Sequence, residues 1–442
     1  MSRPLRVCFV AYRGNMKCGG QGIYLWFLAR ELAQLGIEVD VVVGPPYPDD
    51  MPFARAQRLP NQELWARWFT RDYAGMLPAR RPLHLLTPLH FYELAASRQG
   101  FLPEPFAFSC RTLAALAARM RAGERWDLIH DVQCLGYGLL GLRALGLPIV
   151  STVHHPLTVD RRASFVRDES MTDAIGTMKF YPIGMQSFVA RRMDRVLTSS
   201  EASAREIARD FGVSAARLTN VWNGLDTELY RPDPSVPRAR DELLCVGRAV
   251  DPNKGIRGLI EALAKLAIPV RLTLVDDDDS SNPVFRWARE AGVADRVHVT
   301  GRVETPTLVD LYRRATLVVV PSRYEGFGLP AVEAMACATP VVASASGALP
   351  EVLRLTRGGV LVEPNDTGAL ASSIQQLLED DDRRRLLGQR GRERVEALLS
   401  WPRVARATAA VYQEVLAERR GLPARTTTSD RDTVLRASQS SD

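Results

Sequence analysis

Two patterns of apolar and polar residues alternate along the 442-residue chain. Short runs rich in Val, Ile and Leu are followed by longer stretches in which apolar residues recur every three or four positions. The runs predict strands over 6–10, 39–43, 127–130, 149–153 and 196–199 in the first half of the chain. In the second half they predict strands over 243–246, 271–275, 297–300, 317–320, 341–343 and 360–362. The helical spacing is clear over 23–35, 113–120, 259–266, 308–314 and 374–387. Strands that are apolar on both sides, alternating with helices, imply an α/β protein with parallel sheets covered on both faces.

A chain this long exceeds what one hydrophobic core usually serves. The pattern divides it into a first domain over 1–222 and a second over 242–400. Between them, 223–241 includes Arg231-Pro232-Asp233-Pro234-Ser235-Val236-Pro237, a proline density that suits a linker. Residues 45–110, rich in Pro, Trp, Phe, Tyr and Arg, show weak periodicity and are expected as an insertion in the first domain. A helix is expected over 401–420, and 421–442, poor in apolar residues, as a disordered tail.

Composition narrows the class further. Hydrophobic residues make up 46% and charged residues 24% of the chain, an ordinary globular balance. No apolar stretch is long enough to span a bilayer, and Met1-Ser2-Arg3-Pro4-Leu5-Arg6 leads directly into a strand without a signal core. A cytoplasmic protein is expected. The cysteines Cys8, Cys18, Cys110, Cys134, Cys245 and Cys337 are scattered without a CxxC pair, as buried reduced thiols rather than a zinc or disulfide framework. The formal charge of +6 comes from dispersed arginines. No nucleic-acid-binding signature accompanies it, so no nucleic-acid partner is expected. A basic surface suits a phosphorylated ligand or an anionic membrane face equally well.

The most informative string runs Pro321-Ser322-Arg323-Tyr324-Glu325-Gly326-Phe327-Gly328-Leu329-Pro330-Ala331-Val332-Glu333-Ala334-Met335-Ala336. It follows an apolar strand and opens a helix near Leu329, with Pro330 in its first turn. Glycines there let backbone N–H groups approach a ligand, and a helix N-terminus favours an anion such as a diphosphate. Glu325 in the loop and Glu333 in the helix can meet hydroxyl groups. Arg248 and Lys254 follow the strand at 243–246 and could clamp a diphosphate, although in isolation two such cations read as ordinary surface charges. Gly19 and Gly20 open a helix after the first strand, without the Gly-x-Gly-x-x-Gly spacing of a dehydrogenase. His154 ends the strand at 149–153, where it can reach a bound hydroxyl. Asp276-Asp277-Asp278-Asp279 can be read as a metal site; a solvated loop with a helix N-cap at Ser281 or nearby is favoured.

Together these segments resemble the retaining GT-B glycosyltransferases of family 4. Tyr324-Glu325-Gly326-Phe327-Gly328-Leu329-Pro330 with Glu333-Ala334-Met335-Ala336 carries the resemblance. Asn223-Gly224-Leu225-Asp226, Cys245-Val246-Gly247-Arg248 with Lys254-Gly255, His298-Val299-Thr300-Gly301 and Thr339-Pro340-Val341-Val342 extend it, as does Thr152-Val153-His154 in the first half. The match is dense over 190–400 and patchier before. The resemblance implies two Rossmann-like parallel-sheet domains facing a central cleft, with the last helix crossing back to the first domain. It implies transfer of a sugar, with retention, from a nucleotide-diphosphate donor (UDP- or GDP-linked) to a glycan, lipid or small-molecule hydroxyl. His154, Arg248, Lys254 and Glu325 would be catalytic. Gly19, Gly20, Gly326, Phe327, Gly328, Leu329 and Glu333 would join Arg248, Lys254 and Glu325 in holding the donor, with no metal and no further cofactor required. The competing readings are a GT-B epimerase or phosphorylase and a non-catalytic nucleotide-sugar-binding protein. Trp65, Trp68, Phe69, Arg71, Arg80, Arg81, Phe101, Phe106 and Phe108 form either an acceptor surface, a peripheral contact with the inner face of an anionic membrane, or the insertion's own small core.

Overall fold

A computed structural model of the protein describes residues 3–16, 20–62, 64, 72, 75–76, 87–167 and 170–422. The described chain divides into two compact units. The first holds the chain up to Ser199, then Ser203–Val221, and the chain again from Val404. The second holds Ser200–Ala202 and Trp222–Arg403.

The first unit is built on a parallel sheet of β1 (Arg6–Ala11), β2 (Glu38–Val43), β3 (Arg55–Arg58), β4 (Leu128–Val132), β5 (Ile149–Thr152), β6 (Arg195–Thr198) and β7 (Leu218–Asn220), in the order β3-β2-β1-β4-β5-β6-β7. The second unit's sheet holds β8 (Glu242–Val246), β9 (Arg271–Val275), β10 (Val297–Val299), β11 (Leu317–Val320), β12 (Val341–Ser344) and β13 (Gly359–Val362), in the order β10-β9-β8-β11-β12-β13. Every pairing in both sheets is parallel. Each order steps outward from its first strand, returns, and continues on the other side, the doubly wound arrangement of a Rossmann fold. Buried central strands explain the apolar runs: Val7, Phe9, Leu128 and Ile129 in one sheet, and Leu243, Leu317 and Val318 in the other, are fully buried.

All eleven expected strands form; β3 and β7 were not anticipated. Edge strand β3 is Arg-Ala-Gln-Arg and mostly exposed, so it carries no apolar signature. Its place is secured by charge, with Arg55 Nε donating to Asp40 Oδ1 at 2.7 Å. Asp40 also accepts from Arg6, Arg119 and the Trp126 indole. Burial would raise that carboxyl, but these donors hold it below the usual range.

The single helix expected over 374–387 is two. Helix Thr367–Glu379 ends at Asp380, whose carboxylate caps Asp381–Leu399 by accepting from Arg383 N at 2.9 Å. Apolar spacing continues across the break and hides it. Residues 45–110 contain β3, the helix Pro88–Arg98 and the first turns of the helix Glu104–Arg121. Leu64, Met76 and Leu94 form a small buried cluster there, while Trp65, Trp68, Phe69, Arg71, Arg80 and Arg81 lie outside the described residues. Residues 223–241 pack with the second unit: Leu225 and Tyr230 are buried, and Arg392 donates to the carbonyls of Thr227 and Tyr230. The last helix is Trp401–Arg419; the expected tail lies outside the described residues beyond 422. No described helix is long and apolar enough to cross a membrane.

Candidate active site

In doubly wound sheets, ligands sit beyond the carboxyl ends of the strands where the order reverses. In the second unit that point lies between β8 and β11, and the loops after these strands carry Arg248, Lys254 and Glu325. The loops brace each other through their backbones. Arg323 N donates to Asn253 O at 2.7 Å. Gly255 sits at φ +64°, and a Cβ there would lie 2.1 Å from the carbonyl oxygen of Pro321. Only glycine accepts both the dihedral and the contact. From the loop after β12, Ala348 N donates to Glu325 O at 2.9 Å.

This bracing brings Lys254 Nζ to 2.7 Å from Glu325 Oε1, which also accepts from Ser322 Oγ at 2.8 Å. Burial by itself would lower the Lys254 ammonium; attraction to Glu325 and the hydrogen bond between them outweigh it and set its pKa above the ordinary lysine value. The Arg248 side chain is exposed and makes no hydrogen bond or ion pair among the described residues, while its carbonyl accepts from Asp251 N at 3.0 Å. One loop thus presents a cation held by a carboxylate and a second cation free to take an anion.

Gly328, at φ +89°, starts the helix Leu329–Ala336 with Pro330 in its first turn. Gly326 O accepts from Ser200 Oγ at 2.9 Å, and Phe327 is buried near Trp222 at 6.2 Å between ring centroids. Glu333 Oε2 accepts from Tyr312 OH at 2.7 Å, and Tyr230 packs against Tyr312 with ring centroids 6.2 Å apart. Burial nevertheless pushes the Glu333 carboxyl up. Neither tyrosine was singled out from the sequence: Tyr312 lies in the helix before β11 and Tyr230 in the proline-rich stretch, so no local motif links them to Glu333.

The acidic run after β9 has structural partners. Asp276 Oδ2 accepts from Ala249 N at 2.8 Å and Asn282 Nδ2 at 2.9 Å, which ties this loop to the one bearing Arg248. Asp277 pairs with Arg302 at 2.6 Å, and Asp279 accepts from Ser281 N. The helix N-cap is Asn282, one residue after the expected Ser281. Among the described residues, no group of His, Cys, Asp or Glu side chains is placed to hold a metal.

In the first unit, Gly20 opens the helix Gly20–Gln34 and is exposed, while Gly19 lies outside the described residues. The glycine that packing demands is Gly22, where a Cβ would fall 1.9 Å from Asn15 O. His154 follows β5 with its Nε2 buried and without a hydrogen-bond partner among the described residues. Its ring meets Tyr24 edge-on at 4.9 Å. Its backbone N donates to Gln133 Oε1 at 2.9 Å, and Gln133 Nε2 donates to His155 O at 3.1 Å. Gln133 (φ 52°) and Leu135 (φ 49°) both lie in the left-handed region, a cost usually found where surrounding structure enforces a functional loop. Thr152 Oγ1 bonds both Tyr24 OH at 2.9 Å and His130 Nε2 at 2.7 Å, and His130 Nδ1 meets Tyr412 OH at 2.5 Å. Burial lowers both His130 and His154 to about 3, so both imidazoles are neutral near pH 7. Gln133 and Tyr24 were not singled out from the sequence, because each sits between apolar neighbours, and His130 entered as the end of the strand expected over 127–130.

Comparison with known proteins agrees with this architecture. Residues 226–394 match the family described as Glycosyl transferases group 1, and residues 18–229 match Glycosyltransferase Family 4. The MMP α-(1→4)-mannosyltransferase of Mycolicibacterium hassiacum is 38% identical over 421 residues, covering 93% of this chain and 99% of its own. D-inositol 3-phosphate glycosyltransferase 1 of Catenulispora acidiphila is 31% identical, covering 94% and 95%. Among solved structures, sucrose-phosphate synthase of Thermosynechococcus elongatus superposes with a TM-score of 0.68 at 26% identity, covering 94% of this chain and all of its own. The HepE protein of Anabaena, solved with UDP, shares the fold at 20% identity and a TM-score of 0.64, covering 92% and 99%. Two doubly wound parallel sheets, these family matches and identity across nearly the whole chain make the protein a glycosyltransferase of the GT-B class, belonging to the group 1 family.

Proposed function

We propose that the protein is a retaining glycosyltransferase that moves a sugar from a nucleotide-diphosphate donor to an acceptor hydroxyl without a metal ion. The observation that carries this reading is the Lys254–Glu325 pair at 2.7 Å, on the same loop as the exposed Arg248, at the switch point of the second sheet. A diphosphate entering there competes for Lys254 and meets Arg248 as its second cation. Glu325, released from Lys254, turns its carboxylate to the hydroxyls of the sugar. The N–H groups following Gly326, Phe327 and Gly328 face the same anion, with Leu329 closing the turn. Glu333, fixed by Tyr312, offers its remaining oxygen to the ribose.

In the reaction, the bond from the anomeric carbon to the phosphate oxygen breaks and a bond to the acceptor oxygen forms on the same face. The acceptor proton passes to the departing phosphate oxygen, so no separate base is needed. Negative charge grows on the diphosphate as it leaves, and preorganised cations aimed at that charge contribute roughly 2.7–4 kcal/mol per donor. His154, neutral and edge-on to Tyr24, serves as a hydrogen-bonding group towards a sugar hydroxyl.

A mannosyl group is the first sugar to assay, because the 38% identical relative is an α-(1→4)-mannosyltransferase. The test offers GDP-mannose, UDP-glucose and other nucleotide sugars with saccharide and polyol acceptors. Nucleotide diphosphate release that depends on acceptor, with an α-linked product from an α-linked donor by NMR, is expected. A product of inverted configuration, or donor consumption without any acceptor product, would overturn the reading.

A further inference from the structure

The first unit carries a second concentration of unsatisfied charge, at the amino end of its strands, opposite the carboxyl end where His154 lies. An open cavity of about 520 Å³ is lined by Arg143, Phe188, Arg191, Arg192 and Arg217. Arg143 ends the helix Gly138–Ala144, Arg191 and Arg192 follow the helix Ile183–Ala190, and Arg217 immediately precedes β7. All lie around the amino ends of β5, β6 and β7, whereas His154 follows the carboxyl end of β5.

Asp194 is the acidic partner here, and it is already engaged. It takes two bonds of 3.1 Å from Arg419, one of 3.1 Å from Arg143 and one of 2.8 Å from Ile149 N. Among the described residues, Arg191, Arg192 and Arg217 pair with no carboxylate. Their observed bonds go to main-chain carbonyls: Ser187 O, Phe188 O, and Arg191 O with Met193 O respectively. Capping helix ends in this way suits the helix dipole, yet it uses only part of each five-donor guanidinium and cancels none of its formal charge. Arg143 Nε is itself buried without a hydrogen-bond partner. Such clustering of like charges costs energy unless an anion joins it. The rim is apolar: Phe188 lies 3.5 Å beneath the Arg192 guanidinium and edge-on to Tyr137 at 5.9 Å. Phe188, Tyr137 and Leu145 are exposed.

We propose that this arginine cavity is a binding site for a phosphate group, separate from the transfer site. Planar guanidinium forks match phosphate oxygens in pairs, and the cavity is of ligand-binding size. The phosphate is that of a soluble phosphate ester or of an anionic lipid headgroup, and the two sources share this chemistry.

The experiment uses the full chain and the triple variant Arg191→Gln/Arg192→Gln/Arg217→Gln, which leaves the Asp194 network in place. Calorimetric titration with inorganic phosphate and glycerol phosphate, at fixed ionic strength, is run beside co-sedimentation with phosphatidylglycerol or phosphatidylcholine vesicles. Binding of one probe by the wild type, weakened at least tenfold in the triple variant with an unchanged urea midpoint, supports the site. Titratable binding of the soluble esters identifies the first source; retention on phosphatidylglycerol but not phosphatidylcholine identifies the second. The single variants Arg192→Gln and Arg217→Gln, each expected to weaken binding severalfold, decide the matter should the triple variant unfold. Wild type that binds neither probe, or folded variants that bind as well as wild type, would overturn it.

Discussion

Replacing Lys254 with Met separates what this side chain does for the fold from what it does for the reaction. Met keeps the unbranched stem beside Gly247 and removes only the ammonium. At 2.7 Å from Glu325 Oε1, the Coulomb attraction is about 6 kcal/mol at an effective dielectric of 20. Desolvation cancels most of it. Removing one partner of a fully buried pair costs about 3–5 kcal/mol, and of a surface pair about 1 kcal/mol or less. With side chains 26% and 11% exposed, the pair lies between these limits, so Lys254→Met should destabilise by about 2 kcal/mol. The cost arises because Glu325 keeps only Ser322 as a side-chain partner among the described residues. Adding Glu325→Gln should therefore recover most of that stability, since a neutral amide still accepts from Ser322. Turnover behaves differently. If the ammonium stabilises the leaving diphosphate, its loss lowers kcat by about 10²–10³, and neutralising Glu325 does not restore it. Urea midpoints and acceptor-dependent nucleotide release on the two variants read out both quantities. Turnover within threefold of wild type in Lys254→Met, or turnover that returns together with stability in the double variant, would refute the assignment.

Three further predictions rest on other parts of the structure. Gly255→Ala should cost about 3 kcal/mol or more in urea unfolding and abolish donor binding, because a left-handed φ and a Cβ 2.1 Å from Pro321 O both forbid a side chain; a midpoint near wild type would mean that the two loops are not braced as described. His130 and His154 stay neutral in the fold down to about pH 3, whereas unfolded histidines take a proton near 6.5. The unfolded chain binds more protons between these values, so stability present above pH 6.5 is lost as pH falls, by up to about 1.4 kcal/mol per pH unit for fully buried His130. His130→Gln should flatten that limb in urea midpoints taken at pH 7 and 5, and an unchanged slope would count against its burial in neutral form. Arg248→Gln should leave stability within about 0.5 kcal/mol, because the side chain is exposed and unpaired, yet lower affinity for the nucleoside diphosphate about tenfold by calorimetry. Equal affinity in the variant would remove Arg248 from the site, and a requirement for Mg²⁺ that EDTA exposes would return Asp276–Asp279 to consideration.

The sequence alone determined the sheet strands buried on both faces, because such a strand must be apolar whatever packs on it: 317–320 and 149–153 could be read without knowing a neighbour. It also determined the loop from Pro321 to Gly328, since strand, glycines and helix start are consecutive residues whose backbone demands are local. Edge strand β3 escaped because a strand exposed on one side is held by Arg55 and Asp40 rather than by burial. The break at Asp380 escaped because apolar spacing reports which face of a helix is buried, not whether the backbone between two buried turns is continuous. Only the tertiary structure decided the partners: Lys254 with Glu325, Tyr312 with Glu333, Asp276 with Ala249 and Asn282, and the arginines around Asp194. Those pairings join residues brought together by strand order and loop bracing. Burial imposes a rule on each residue separately, whereas a hydrogen bond or ion pair imposes one on two residues at once, and their meeting is set by the fold that lies between them.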